Sequence, residues 1–330
     1  MLERRSQLTL ILGAPRSGTT WLAKIFDSHP QVLYRHEPDL AMPDAAIPKV
    51  CRIEDVPHYR DAAGAFVEAL IGTRNMKAAG KLPLFAKVGD PPLARTARTG
   101  LVLALQVAQM LLRHGHHTPF VLPRHFGWNK GVQPHVVIKS ISSLGRAGLL
   151  AASVPDARII LLVRNPLEQI ASRLRGYAHR KMRPFRLVDD LLTTAEAQRF
   201  GLTPTSIGRL SQVEQMAWEW AIMNEKAVAE LSPHANARVV RYTDLVLDAS
   251  RKASDLFTFA GLPWHKAAEH FIRSSTSYHG PDLYFHVRKR GQEPLHKWRG
   301  ALSADDQARI LAVVGDTAAG RLYPELLTGG

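Results

Sequence analysis

Cysteine, acidic residues and long apolar runs are all scarce in this chain. Cys51 is the one cysteine in 330 residues, which excludes an intramolecular disulfide and a thiolate-built metal cluster. Asp and Glu number 29 against 43 Lys and Arg, a formal net charge of +14 that points to anionic partners. Those include a phosphorylated cofactor, an acidic glycan, nucleic acid and lipid headgroups. The basic residues are spread along the chain with no basic tail, which argues against nucleic acid. No apolar run reaches the roughly 18 residues of a membrane-spanning helix, so membrane contact is expected to be peripheral at most. Residues 1–6 are polar and offer no signal-peptide apolar core. With the lone cysteine, this predicts a cytoplasmic setting.

What is present begins with Leu8–Leu12, an apolar run that predicts a buried strand. Gly13 to Gly18 predicts a tight loop. From Thr19 onward, Trp21, Leu22, Ile25 and Phe26 share one face and predict a helix. A strand, a glycine loop and a helix N-terminus make an anion cradle. Backbone N–H groups converge there, and the helix dipole adds partial positive charge. The spacing is that of G-x-x-x-x-G-K-[ST], with Thr20 in the hydroxyl position and Thr19 where the lysine belongs. Sites that hydrolyse ATP or GTP use that lysine, so its absence argues against them. The loop's cation stands at Arg16 instead.

A short strand at 31–34 follows, with Arg35 to Asp39 as a loop at its C-terminal end. In an open parallel sheet that end faces the ligand, which puts Glu37 in the crevice. Residues 40–134 are proline-rich and carry two helical stretches, near 61–74 and 93–113. They predict an insertion that forms a lid or substrate wall. His114, His116, His117 and His125 lack an accompanying carboxylate or thiolate, and no metal site is expected. Residues 136–138 predict a strand with Lys139 at its end. Arg158–Val163 predicts a central strand covered on both faces, closed by Arg164-Asn165-Pro166 with proline in the next helix's first turn. The helix at 167–175 carries Ser172, eight residues after Arg164. Residues 189–208 are polar and irregular, 211–231 predict a long helix, and 237–242 the last strand. Ser303 is expected to cap a final helix. Strands separated by helices predict an α/β, three-layer, P-loop-like fold with a central parallel sheet, in a single domain over residues 1–330.

Several of these stretches together resemble the sulfotransferase superfamily that uses 3′-phosphoadenosine 5′-phosphosulfate (PAPS). The resemblance rests on Pro15-Arg16-Ser17-Gly18-Thr19-Thr20-Trp21-Leu22 after the first strand, on Arg164 and Ser172 in VRNPLEQIASRL, and on Tyr242-Thr243-Asp244-Leu245. It covers most of residues 8–40 and 135–300. It implies that Arg16, Ser17, Gly18, Thr19 and Thr20 bind the 5′-phosphosulfate, and Arg164 and Ser172 the 3′-phosphate. A guanidinium is a planar, multi-donor match for a phosphate dianion. The resemblance also implies Tyr242 and Thr276 near the adenine, and the loop Arg288-Lys289-Arg290-Gly291 over the 3′-phosphate. For Trp21 two roles stay open, adenine stacking and core packing.

Sulfotransferases acting on phenols and steroids carry Lys-[TS]-His after the third strand, with the histidine as base. Lys139-Ser140-Ile141 lacks it. Carbohydrate and tyrosyl-protein members place a glutamate after the second strand, and His36-Glu37-Pro38 is similar. The implied reaction is in-line sulfuryl transfer from PAPS to an acceptor hydroxyl of a glycan, glycolipid or other metabolite. Glu37 is the implied base, Arg16 neutralises charge and Lys139 assists, with no metal required. Two other classes stay open on residues alone: a P-loop kinase for a small metabolite, and a non-catalytic module binding an anion or nucleotide.

Overall fold

The computed structural model describes residues 7–42, 46–111, 120–123, 126, 133–180, 189–277 and 295–326. Its centre is one sheet of five parallel strands in the order β2-β3-β1-β4-β5. The elements run β1 (Leu8–Leu12), α1 (Thr19–Asp27), β2 (Val32–His36), α2 (Val56–Gly72), α3 (Ala94–Leu111) and β3 (His135–Ser140). They continue with α4 (Ala147–Ser153), β4 (Arg158–Val163), α5 (Pro166–Ala178), α6 (Gln212–Leu231) and β5 (Ala237–Arg241). The last helices are α7 (Tyr242–Leu247), α8 (Ala249–Ala260), α9 (Lys266–Thr276) and α10 (Ala304–Gly315).

Strand periodicity explains the layers. Leu8, Leu10 and Leu12 of β1, with Ile159, Leu161 and Val163 of β4, enter one core, which also takes residues of α2, α4, α5, α6 and α10. Ile11, Ile160 and Leu162 enter a second core with residues of α1, α8 and α9. Successive side chains point to opposite faces, so continuous apolar runs demand cover on both. This is the three-layer parallel arrangement that the sequence predicts.

The chain departs from the expected outline in several places. β2 runs two residues further than the 31–34 stretch, because Arg35 and His36 still pair with Ile138 and Lys139 of β3. The 189–208 stretch is not irregular: it holds short helices at Asp189–Thr193, Ala195–Arg199 and Pro204–Gly208, the last two with threonine N-caps. Within the 40–134 insertion, α2 buries Ala63, Phe66, Val67 and Leu70 in the first core, whereas α3 buries Val102 alone.

A buried charge cluster ties the insertion to α1. Asp27 accepts from Lys24 at 2.6 Å and from Lys87 at 2.9 Å. Lys24 also donates to the carbonyls of Lys81 (2.6 Å) and Pro83 (3.0 Å). All three side chains are buried, so each charge depends on the others for compensation. No helix among the described residues is long and apolar enough to cross a membrane.

Candidate active site

The chain leaves β1 between β3 on one side and β4 on the other, a topological switch point. The loop from Gly13 to Gly18 fills that point. Gly18 has φ 94°, and a Cβ there would lie 2.4 Å from the Tyr242 ring, so only glycine fits. As N-cap of α1, Gly18 supplies no side-chain acceptor, which leaves the helix's first N–H groups for an incoming anion. Arg16 has φ 72°, an uncommon conformation for a residue with a Cβ. Ser17 Oγ is buried and has no hydrogen-bond partner among the described residues. Thr19 is buried and Thr20 half-buried. A glycine cradle, a strained arginine and an orphaned hydroxyl fit an anionic group such as the phosphosulfate.

Two distant motifs close on this loop. Arg16 Nε donates to Ser172 Oγ at 3.1 Å. Arg164 Nη1 donates to the Arg16 carbonyl at 2.9 Å, and Gln169 Nε2 to the Pro15 carbonyl at 2.9 Å. Local sequence places these groups. Asn165 caps α5 by accepting from Leu167 N, and Pro166 sets its first turn. Ser172 then faces the loop from two turns in. The end of β4 is pinned from below, where Trp220 Nε1 donates to the Arg164 carbonyl and the Tyr323 hydroxyl to that of Val163. The Arg164 guanidinium stacks on Tyr242 at 4.6 Å and donates from Nε to Glu168 at 2.8 Å. Tyr242 is itself buried beneath Gly18, with its phenol pushed up to about 12 by burial.

The carboxylate side is built from β2 and β3. Register sets His36 opposite Lys139, and Lys139 opposite Ile11 just before the loop. Glu37, at φ 48°, turns off the end of β2 with its N–H on the Lys139 carbonyl at 2.7 Å. Its carboxylate is in contact with Lys139 Nζ, and its other oxygen lies 3.1 Å from Lys77 Nζ. Burial alone would raise the Glu37 pKa. The Lys139 ammonium, by its charge and its hydrogen bond, is the main group that outweighs it and holds the carboxyl well below its usual range. His36 Nε2 stands 3.8 Å from the same carboxylate, and His36 Nδ1 lies 2.8 Å from the Tyr34 hydroxyl. Burial and the neighbouring Lys139 push the His36 pKa far down, so the ring is neutral and adds no charge at neutral pH. Arg35 turns to the opposite face, donating to the Ile71 and Tyr34 carbonyls.

The structure thus brings together Arg16, Ser17, Gly18, Thr19, Thr20, Arg164, Ser172 and Tyr242 around the loop, and Glu37 with Lys139 beside it. Trp21 is buried in the second core, its indole N–H on Ser275 Oγ at 3.0 Å. Thr276, one residue on, bonds its own helix carbonyls at Ile272 and Arg273. Lys289, Arg290 and Gly291 lie outside the described residues, as do the four histidines at 114–125. Among the described residues no His, Cys, Asp and Glu group could hold a metal. Sequence reasoning missed three participants. Glu168 had a readable signal, its place four residues after Arg164 at a helix start. Gln169 and Lys77 had none.

The architecture is a parallel sheet whose lysine-less glycine loop is met by an arginine from one strand end and a serine from the next helix. The family model described as "Sulfotransferase family" matches residues 9–266, and the chain belongs to that family. Carbohydrate sulfotransferase 3 of Homo sapiens is 29% identical over 153 residues, covering 44% of this chain and 29% of that protein. The Mus musculus protein of the same name is 28% identical over 170 residues, covering 49% and 33%. The chain therefore spans about a third of the length of these curated relatives. Among solved structures, the sulfotransferase domain from the curacin biosynthetic pathway aligns over 93% of this chain and 96% of its own, at 16% identity and a TM-score of 0.43.

Proposed function

We propose that the protein transfers a sulfuryl group from PAPS to an acceptor hydroxyl. The observation that carries this reading is the contact between the two motifs: Arg16 Nε on Ser172 Oγ, with Arg164 on the Arg16 carbonyl. It makes one anion site from residues 148 apart in sequence.

PAPS supplies an activated sulfuryl group whose bond to the 5′-phosphate breaks as the acceptor oxygen bonds to sulfur. Arg16, Ser17, Gly18, Thr19 and Thr20 hold the 5′-phosphosulfate, and Arg164 and Ser172 the 3′-phosphate. Ser17 Oγ gains the partner it lacks, and Arg16 neutralises the charge that builds on the leaving bisphosphate (PAP). Glu37 accepts the acceptor's hydroxyl proton. A carboxylate held by two ammonium groups is a weak base, so its basicity depends on Lys139. Lys139 contacts Glu37 and lies opposite Ile11 of β1, the strand that leads into the loop. Sharing its charge with an anion in the loop weakens its hold on Glu37 and raises the carboxylate's proton affinity. Binding and base activation are coupled in this way.

The acceptor side is formed by the 40–134 insertion, which contributes Lys77 to Glu37, within a single domain. The carbohydrate sulfotransferase relatives favour a glycan-bearing acceptor. Cys51 is buried, and its thiol, pushed up to about 11 by burial, stays out of the chemistry. The test is transfer of radiolabelled sulfate from PAPS into cell extract, followed by identification of the product. A labelled hydroxyl ester is expected. No label above an Arg16→Ala control would overturn the reading.

A further inference from the structure

A cleft of about 1350 Å³ is bounded by the 81–86 segment, α3 and α9, and reaches Ser28 and Pro30 past the end of α1. Each boundary brings an apolar side chain and a cation. The segment supplies Phe85 with Lys81, α3 supplies Leu103 with Arg95, and α9 supplies Phe271 with Lys266 and Arg273. Among the described lining residues there is no Asp or Glu. The cleft is preformed. Lys24 holds the Lys81 and Pro83 carbonyls, Arg98 donates to the Phe85 carbonyl at 3.1 Å, and the Phe85 and Phe271 rings meet edge to face at 5.3 Å.

Two features connect this cleft to the chemistry and to its occupant. Lys77 lies 3.1 Å from the Glu37 carboxylate, and Lys81, four residues further along the same segment, lines the cleft, its pKa lowered by burial with Glu37 opposing. At the outer side, α3 continues the apolar lining onto the surface. Val107 is 53% exposed, and Met110 and Leu111 are each 73% exposed. An 18-residue helix that buries only Val102 contributes little core and leaves its later apolar residues on the surface.

We propose that this cleft is the acceptor site and that the acceptor is an anionic amphiphile, a hydroxyl-bearing, negatively charged headgroup on a hydrocarbon chain. The proposal rests on the sulfotransferase reading. The chain lies along Leu103, Phe85 and Phe271, where each methylene removed from water adds to affinity. The headgroup's charge meets the cations that line the cleft, with its hydroxyl at the Lys81 end, where the segment leads back to Lys77 and Glu37. An amine acceptor meets only like charge here, and an uncharged sugar leaves the cations unused.

The test is calorimetric binding of lauroyl-lysophosphatidylglycerol below its micelle concentration. The controls are lauroyl-lysophosphatidylcholine, with the same chain and no net charge, and glycerol 1-phosphate, with the charge and no chain. Binding of the first at least about tenfold tighter than either control is expected, with about a tenfold loss in the double variant Arg95→Glu/Lys266→Glu. Equal binding of all three probes, or an unchanged double variant, overturns the proposal. Co-sedimentation with phosphatidylglycerol vesicles separates the two sources of such a ligand. Retention lost in Met110→Asp assigns a lipid taken from a bilayer, and monomer binding without retention assigns a free amphiphile. Thermal stabilisation by PAP, read on the same samples, keeps the two readings apart. Its absence in the unmodified protein would overturn the sulfotransferase reading while leaving the cleft's preference for a charged chain as measured.

Discussion

Glu37 and Lys139 form a buried ion pair across the ends of β2 and β3, one step from the phosphate loop. Glu37 is held there by a left-handed backbone at φ 48° and by its N–H on the Lys139 carbonyl. Such a pair keeps a carboxylate ionised and a lysine ready, and it makes activity and stability depend on the same two groups.

The Glu37→Gln variant is expected to lose about 10²–10⁴ in kcat if Glu37 is the base. Its affinity for PAP is expected to hold or tighten, because losing the carboxylate charge frees Lys139 for the anion. Steady-state rates and calorimetry on one preparation decide this, and full turnover with intact binding would remove Glu37 from the chemistry.

The same pair predicts a pH dependence of stability. Glu37 has a folded pKa below its ordinary value of 4.5, so its contribution is fully present above about pH 4.5 and is lost on acidification through the lowered value. Melting temperatures of the unmodified protein and Glu37→Gln should differ most at neutral pH and converge below pH 4.5. Parallel curves would contradict the pairing.

Gly18 carries a backbone requirement and a steric one. Gly18→Ala is expected to cost about 1–3 kcal/mol for its positive φ, with a further cost from the Tyr242 ring 2.4 Å from the new Cβ. Combined with Tyr242→Ala, the two losses should fall short of additivity by about 0.5–3 kcal/mol. Urea unfolding of the four proteins measures the coupling, and simple additivity would mean that the ring yields freely.

Much of the fold was legible because β1, β3 and β4 are continuous apolar runs between helices, a pattern that fits only a sheet covered on both faces. The loop and the Arg164–Ser172 spacing were legible for a similar reason, since both are local geometry. Lys77 was not. It reaches Glu37 from an insertion whose path depends on the buried Asp27–Lys24–Lys87 cluster, a set of long-range contacts with no periodicity to read. The roles of Trp21 and Ser275 were hidden likewise, because the indole's partner lies 254 residues away.

That cluster yields its own expectation. Asp27→Asn leaves Lys24 and Lys87 buried with neutral partners alone, which costs about 3–5 kcal/mol. The loss should appear in urea unfolding together with faster proteolysis of the 81–87 segment. A change under about 1 kcal/mol would show that the lysines find other compensation.

Arg164 joins the loop to Ser172's helix. Arg164→Lys keeps the charge but not the planar fork, and is expected to raise the Kd for PAP roughly ten- to a hundredfold. Titration calorimetry checks it, and an unchanged Kd would move the 3′-phosphate elsewhere.

The most direct measurement is thermal unfolding with PAP against ATP–Mg²⁺ at matched concentration. At about a hundred times its Kd, a ligand of the folded state adds about 2.7 kcal/mol. PAP is expected to raise the melting temperature by that mechanism, ATP–Mg²⁺ to have little effect, and the PAP shift to fall in Arg164→Lys. Stabilisation by ATP–Mg²⁺ alone would contradict a phosphosulfate site at the Gly13–Gly18 loop.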